Sequence, residues 1–357
     1  MRRFDNILFL FPVLTVLMFS CSDREAQDEG DGYVVFNVAA EGLINRGPLD
    51  ISTKSSSSSY HNDYFSLLSE DIHMGVLIPG LEREGEAVFS PSNSTWTSDV
   101  RLDPANYDIY TYIPKENPSR VELITGVTDI ITFNDVPFCS FEDILISSGC
   151  ALSTATLTPN YYSVSITSGD RFVKLMMDHV LAMVTLRFSV NATYNDMRTI
   201  EITDISVGSS TSANSRYKID CYMNEGSDIS YIYSPIGTEN PASDLSFNYD
   251  GDFTSLTEAA TSVKALQLTP GENREFLTFM VVPQVPTTLK LTVHYNVYDK
   301  KGVLIRQNVT ATNNNLKITS SGNPLRAYDY NLDINVVPTY LYQLSDNDDD
   351  SVLLIND

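Results

Sequence analysis

Leu289-Lys-Leu-Thr-Val-His-Tyr-Asn-Val297 places an apolar residue at every odd position and a polar one at every even position. Side chains along an extended strand point alternately to its two faces, so this order buries one face and wets the other. A helix would need its apolar residues three and four apart. Tyr328-Asp-Tyr-Asn-Leu-Asp-Ile-Asn-Val336 repeats the alternation, and Val184-Thr-Leu-Arg-Phe-Ser-Val190 is a third case. Half-buried strands of this kind belong to antiparallel sheets with one face on a core.

Weaker strand patterns lie on either side: Tyr33 to Ala39, Val76 to Ile78, Tyr107 to Ile113, Tyr162 to Ile166, Ile200 to Val207 and Phe276 to Val282. Within Ile200-Glu-Ile-Thr-Asp-Ile-Ser-Val207 the apolar face switches partway, which predicts a β-bulge. Turn signals separate the strands, among them Pro79-Gly80, Pro270-Gly271, Lys301-Gly302 and Ser321-Gly-Asn-Pro324. Helical spacing is scarce; Phe141 to Ile146 and Ser255 to Ala260 are expected as short helical turns. The fold class is therefore all-β, with two tandem antiparallel β-sandwiches at 33–192 and 193–338 and an acidic extension at 339–357.

The N-terminus sets the compartment. Arg2 and Arg3 precede the apolar run Ile7 to Phe19, about 13 residues, which suits a signal peptide and is short of the roughly 20 that span a bilayer. Residues 1–20 are expected to be removed. Ser20-Cys21 resembles the bacterial lipobox, whose cysteine carries lipid and becomes the new N-terminus; a plain cleaved leader is the alternative. Residues 21–32 then form an acidic tether. Of the other cysteines, Cys139 and Cys150 could bridge, but the sequence leaves the pairing of Cys139, Cys150 and Cys221 open.

Charge limits the partners. The chain has 23 Lys and Arg against 46 Asp and Glu, a net charge of −23. Such a chain repels nucleic acid and anionic headgroups. Catalytic constellations are scarce as well. Asp178 and His179 are adjacent, so in a strand they face opposite ways and cannot pair. His179 is expected as a buried, hydrogen-bonded residue. Asp346-x-Asp348-x-Asp350 lacks the glycine of a calcium loop and is expected to be a solvated tail. No catalytic residue, metal or cofactor is expected, and the chain is not expected to be an enzyme. Trp96 and the tyrosines would line a glycan groove only if they were exposed together.

Several segments taken in order resemble the fimbrillin family of Bacteroides-like bacteria, the subunits of lipoprotein-derived pili. They are Leu102-Asp-Pro-Ala-Asn-Tyr-Asp-Ile-Tyr-Thr-Tyr-Ile-Pro114, Met177-Asp-His-Val-Leu-Ala-Met-Val-Thr-Leu-Arg-Phe188 and Ala327-Tyr-Asp-Tyr-Asn-Leu-Asp-Ile334. Thr111 departs from the family's usual alanine, and the acidic C-terminal extension is also unusual. The resemblance implies transthyretin-like sandwiches, lipidation at Cys21 and display at the cell outer membrane. It also implies proteolytic removal of the first strand, here Tyr33 to Ala39, and replacement by a strand from another fimbrillin subunit. Arg46, in an expected turn, is the candidate cut site, and Lys54 is the alternative. Stalk, tip and anchor roles stay open, as do host or bacterial surface ligands. Ser351-Val-Leu-Leu-Ile355 is either a donor strand or part of a disordered tail. The rival function is a surface glycan-binding lipoprotein associated with nutrient uptake.

Overall fold

The computed structural model describes residues 32–344, apart from 42–43, 47–59, 62–70, 82–83, 116–119, 237–244, 249–265, 269, 271–273, 286–287, 320–321 and 338–339. In chain order the strands begin with β1 (Val35–Glu41), β2 (Ile44–Arg46), β3 (Tyr60–His61), β4 (Ile72–Leu77), β5 (Gly85–Ser90), β6 (Thr95–Ser98), β7 (Ala105–Asp108) and β8 (Tyr110–Ile113). There follow β9 (Val121–Ile124), β10 (Asp129–Pro137), β11 (Cys139–Ser140), β12 (Leu145–Leu152), β13 (Ser163–Ile166), β14 (Phe172–His179) and β15 (Ala182–Val190). After the helix α1 (Ala192–Met197) come β16 (Arg198–Ser209), β17 (Arg216–Met223), β18 (Ser230–Pro235), β19 (Leu245–Asn248), β20 (Leu266–Gln267) and β21 (Arg274–Val281). The described chain closes with β22 (Leu289–Asp299), β23 (Leu304–Leu316), β24 (Tyr328–Val337) and β25 (Tyr340–Leu344).

The fold is all-β. One sheet runs β3-β1-β14-β12-β8-β4-β5-β6, and a second runs β18-β17-β10-β9. A third runs β11-β21-β15-β24-β2, with β25 also on β24. A fourth runs β19-β16-β22-β23, with β20 also on β16, and β13 pairs with β7 alone. The three clearest alternating stretches form β22, β24 and β15, and their apolar positions are buried, joined in β15 by Thr185 and Ser189 and in β24 by Asp329. Leu289, Leu291, Val293 and Tyr295 have no exposed surface, and Leu332, Ile334 and Val336 have almost none. Inward faces from the larger sheets join one contiguous hydrophobic core. The predicted bulge is present: the pairing of β16 with β22 slips between Ile202 and Asp204, where the buried face switches.

Some expectations differ from the structure. Phe141 to Ile146 is not a helical turn; it leads into β12, whose residues Leu145 to Ala151 are all buried. The small side chains of Ser147, Ser148 and Gly149 let this strand lie between β8 and β14. A Cβ on Gly149 would stand 2.7 Å from the Thr158 carbonyl oxygen. Ser255 to Ala260 lies outside the described residues. At the expected boundary between the sandwiches stands α1, capped by Asn191, whose Oδ1 accepts from the Thr193 amide at 2.9 Å. Pairings of β10 with β17, β15 with β21 and β24, and β2 with β24 join strands from opposite sides of 192/193. The hydrogen-bonded sheets therefore do not divide at that position. Beyond Pro338 the chain at first stays in a sheet, because β25 folds back antiparallel on β24. Cys139, Cys150 and Cys221 are all buried, and no disulfide joins Cys139 to Cys150.

Candidate functional site

The first strand is seated by alternation. Phe36 and Val38 are buried, Asn37 between them is exposed, and Val34 just ahead of the strand is fully buried. β1 runs parallel to β14, with Phe36 opposite Val173 and Val38 opposite Leu175. Both partners are completely buried, so the paired side chains share one inward face. On its other side β1 pairs with β3, at Ala40 and Glu41. Along the rest of that edge no strand is hydrogen-bonded to β1 among the described residues, although β6 lies close to it.

The entry to β1 is pinned from two directions. Val34 donates its amide to the Val100 carbonyl at 2.9 Å, and Leu102 donates to the Gly32 carbonyl at 3.2 Å. Val35 meanwhile donates to the Arg171 carbonyl at 3.0 Å. Arg101 lies over the Tyr33 ring, 4.1 Å from its centroid, and donates to the Tyr33 hydroxyl at 2.6 Å. The Arg171 guanidinium donates to the carbonyls of Gly32 and Leu102.

After β1 the chain changes sheets. β2 runs parallel to β24, with Ile44, Asn45 and Arg46 opposite Tyr328, Asp329 and Tyr330. One N-terminal ribbon thus supplies a parallel strand to two sheets. Arg46 ends a strand here instead of standing in the expected turn, because the backbone of β24 offers it a pairing partner. Cys21 and Lys54 lie outside the described residues, as do Asp346 to Asp350 and Ser351 to Ile355.

The two seats of the ribbon are tied to each other where β14 ends and β24 begins. Asp178 pairs with Arg326 at 2.6 Å, and Arg326 also donates to the His179 carbonyl at 3.0 Å. Arg326 lies 4.5 Å from the centroid of the Tyr231 ring. Burial alone would lower the Arg326 pKa, but the Tyr231, Asp178 and Tyr233 groups around it hold it above the ordinary value. His179 faces the other way, as strand geometry requires, and its Nδ1 meets Asp143. The His179 side chain has no exposed surface, as expected of a buried, hydrogen-bonded residue. The sequence gives no sign that Arg326 or Arg101 is structural. Each is a lone cation in an acidic chain, and its partner lies far away in sequence.

Trp96 is 8% exposed and packs on Phe89 with ring centroids 5.3 Å apart. It is therefore unavailable to a flat aromatic platform of the kind a glycan-binding surface requires.

No protein-family model matches the sequence, and no curated protein matches it. Solved structures do. A fimbrial protein from Bacteroides vulgatus ATCC 8482 is 12% identical, with 85% of this chain and 94% of that chain covered, at a TM-score of 0.46. A candidate cell adhesion protein from Bacteroides fragilis NCTC 9343 is 12% identical over 90% of this chain and 95% of its own, at a TM-score of 0.40. Another, from Bacteroides ovatus ATCC 8483, is 9% identical over 91% and 100%, also at 0.40. At this distance the description of the fold rests on the strand pairing itself.

Proposed function

We propose that this chain is a structural or adhesive subunit of a lipoprotein-derived pilus, assembled by strand exchange. In this reading Cys21 carries the lipid that holds the exported precursor at the outer membrane. Proteolysis near Arg46 or Lys54 frees the ribbon, and the partners are other fimbrillin subunits and surface ligands of host or bacterial cells. The observation that carries the reading is the ribbon's position, at the N-terminal end of the described chain, with β1 on β14 next to the short edge strand β3 and β2 on β24 at the edge of a second sheet. Removing it uncovers the backbone edge of β14 at 172–177 and that of β24 at 328–330. Open edges of this kind accept strands from other chains.

The energetics suit exchange. Burying Val34, Phe36 and Val38 contributes roughly 5 to 9 kcal/mol at about 1.5–3 kcal/mol each. Ordering Val34 to Ala40 costs a comparable amount, at about 1–2 kcal/mol per residue. The ribbon is held by a small difference between large terms, and an incoming strand of the same pattern recovers the same burial.

Mild trypsin treatment of the purified chain, followed by mass spectrometry and electron microscopy, tests this. The expected result is loss of the ribbon and growth of linear polymers, with polymers absent when Arg46 and Lys54 are both changed to Gln. A site for a specific protease inserted within 47–59 covers the case in which trypsin does not reach the native one. A product that has lost the ribbon yet stays monomeric at high concentration rules the reading out.

A further inference from the structure

The hairpin of β22 and β23 ends in a tip whose composition is unusual for this chain. Residues 300–308 are all exposed, including Val303 at 59%, Leu304 at 44% and Ile305 at 44%. Three cations, Lys300, Lys301 and Arg306, occupy seven consecutive positions of a chain whose net charge is −23. None of the three forms an ion pair among the described residues. The neighbouring acid, Asp299, is engaged in the turn, where its Oδ1 accepts from the amides of Lys301 and Val303 at 2.8 Å each. Among the described strands β23 pairs only with β22, so its other edge has no strand partner. An exposed apolar edge normally invites uncontrolled pairing unless something covers it.

We propose that the C-terminal segment of the same chain, Asp346 to Asp357, docks along the open edge of β23. Charge selects it: Asp346, Asp348, Asp349 and Asp350 lie in a run of five residues and match Lys300, Lys301 and Arg306. Pattern selects it too, because Ser351-Val-Leu-Leu-Ile355 follows that run and offers apolar side chains to Val303, Leu304 and Ile305. Position and length agree. β25 lies against β23 and ends at Leu344, so the segment that follows starts close to this strand. The 13 residues after Leu344 reach roughly 43 Å when extended at about 3.3 Å each, the same span as the 13 residues of β23. The tail thus acts as a strap that keeps this edge from other chains. Its hold weakens as salt shortens the range of the charge attraction. The proposal does not depend on the pilus reading.

The test uses the full chain and a carbodiimide that joins carboxylates directly to lysines. Cross-links are expected between the 346–350 acids and Lys300 or Lys301. In a mixture of isotopically light and heavy chains they join only light to light and heavy to heavy. Amide hydrogens of residues 304–310 are expected to exchange about tenfold more slowly than in a chain that ends at Leu344. That protection is lost in Lys300→Glu/Lys301→Glu/Arg306→Glu and regained when the four aspartates of the tail are also changed to lysine. Lys300, Lys301 and Arg306 are exposed, so their replacement keeps the core. Mixed light–heavy cross-links would overturn the proposal by showing a second copy's tail on the edge. Equal exchange in the full and shortened chains would overturn it by showing no tail there.

Discussion

The strand β1, whose outer side pairs with the two-residue β3, and the edge strand β23 are held in opposite ways. β1 has seven residues, and its inward side chains Phe36 and Val38 sit in the core opposite fully buried partners. β23 has 13 residues, but Leu304 to Asn308 are exposed on both faces, and burial begins only near Ala311. The pairing of β1 with β14 is unbroken while that of β23 with β22 slips in three places, and side-chain burial adds to this contrast in how tightly each is held. The short strand is therefore the one whose loss the fold would register. The tip of the long one can be changed at little cost.

Phe36→Ala is the strongest way to break this contrast. It removes a side chain that is 3% exposed and leaves a cavity against β14, an expected loss of about 3–5 kcal/mol. Urea denaturation reads it as a lower midpoint at unchanged slope. A midpoint equal to that of the parent would mean the ribbon is not seated as described.

Arg326→Met sharpens the comparison from the other side, by loosening the tie between the two seats without touching the ribbon. Asp178, 6% exposed, would then stand without its guanidinium partner, and removing one member of a buried ion pair costs about 3 kcal/mol. The double variant Asp178→Leu/Arg326→Met should recover much of that loss, since two apolar groups replace the pair. If the double variant is no more stable than Arg326→Met alone, the cost lies in the contact with the Tyr231 ring instead of in the stranded carboxylate.

The sequence made some of this legible and hid the rest for a physical reason. Period-two alternation is local, so β15, β22 and β24 could be placed, and so could the bulge between Ile202 and Asp204. A wholly buried strand has no alternation, and β12, with Ser147, Ser148 and Gly149 inside, was therefore expected to begin as a helical turn. Pairing partners are not local. Nothing in Val35 to Ala40 announces a parallel seat on residues 172–177, and nothing in Arg216 to Met223 announces β10 across the expected domain break. A three-residue strand such as β2 is too short for any pattern, which is why Arg46 was expected in a turn. The apolar ribbon itself was visible; that it serves two sheets was not.

The smallest expected effect completes the contrast. Leu304→Thr and Ile305→Thr replace apolar side chains that are each 44% exposed on an edge strand. Little transfer free energy is lost there, and threonine suits a strand. Their joint effect on global stability should stay within about 0.5 kcal/mol, the usual range for surface substitutions. Local exchange is a separate readout. If the tail covers this edge, the pair should speed amide exchange at 304–310 while leaving the urea midpoint in place. A large drop in the midpoint would mean that the tip is packed as β1 is, and the distinction between the two edges would fail.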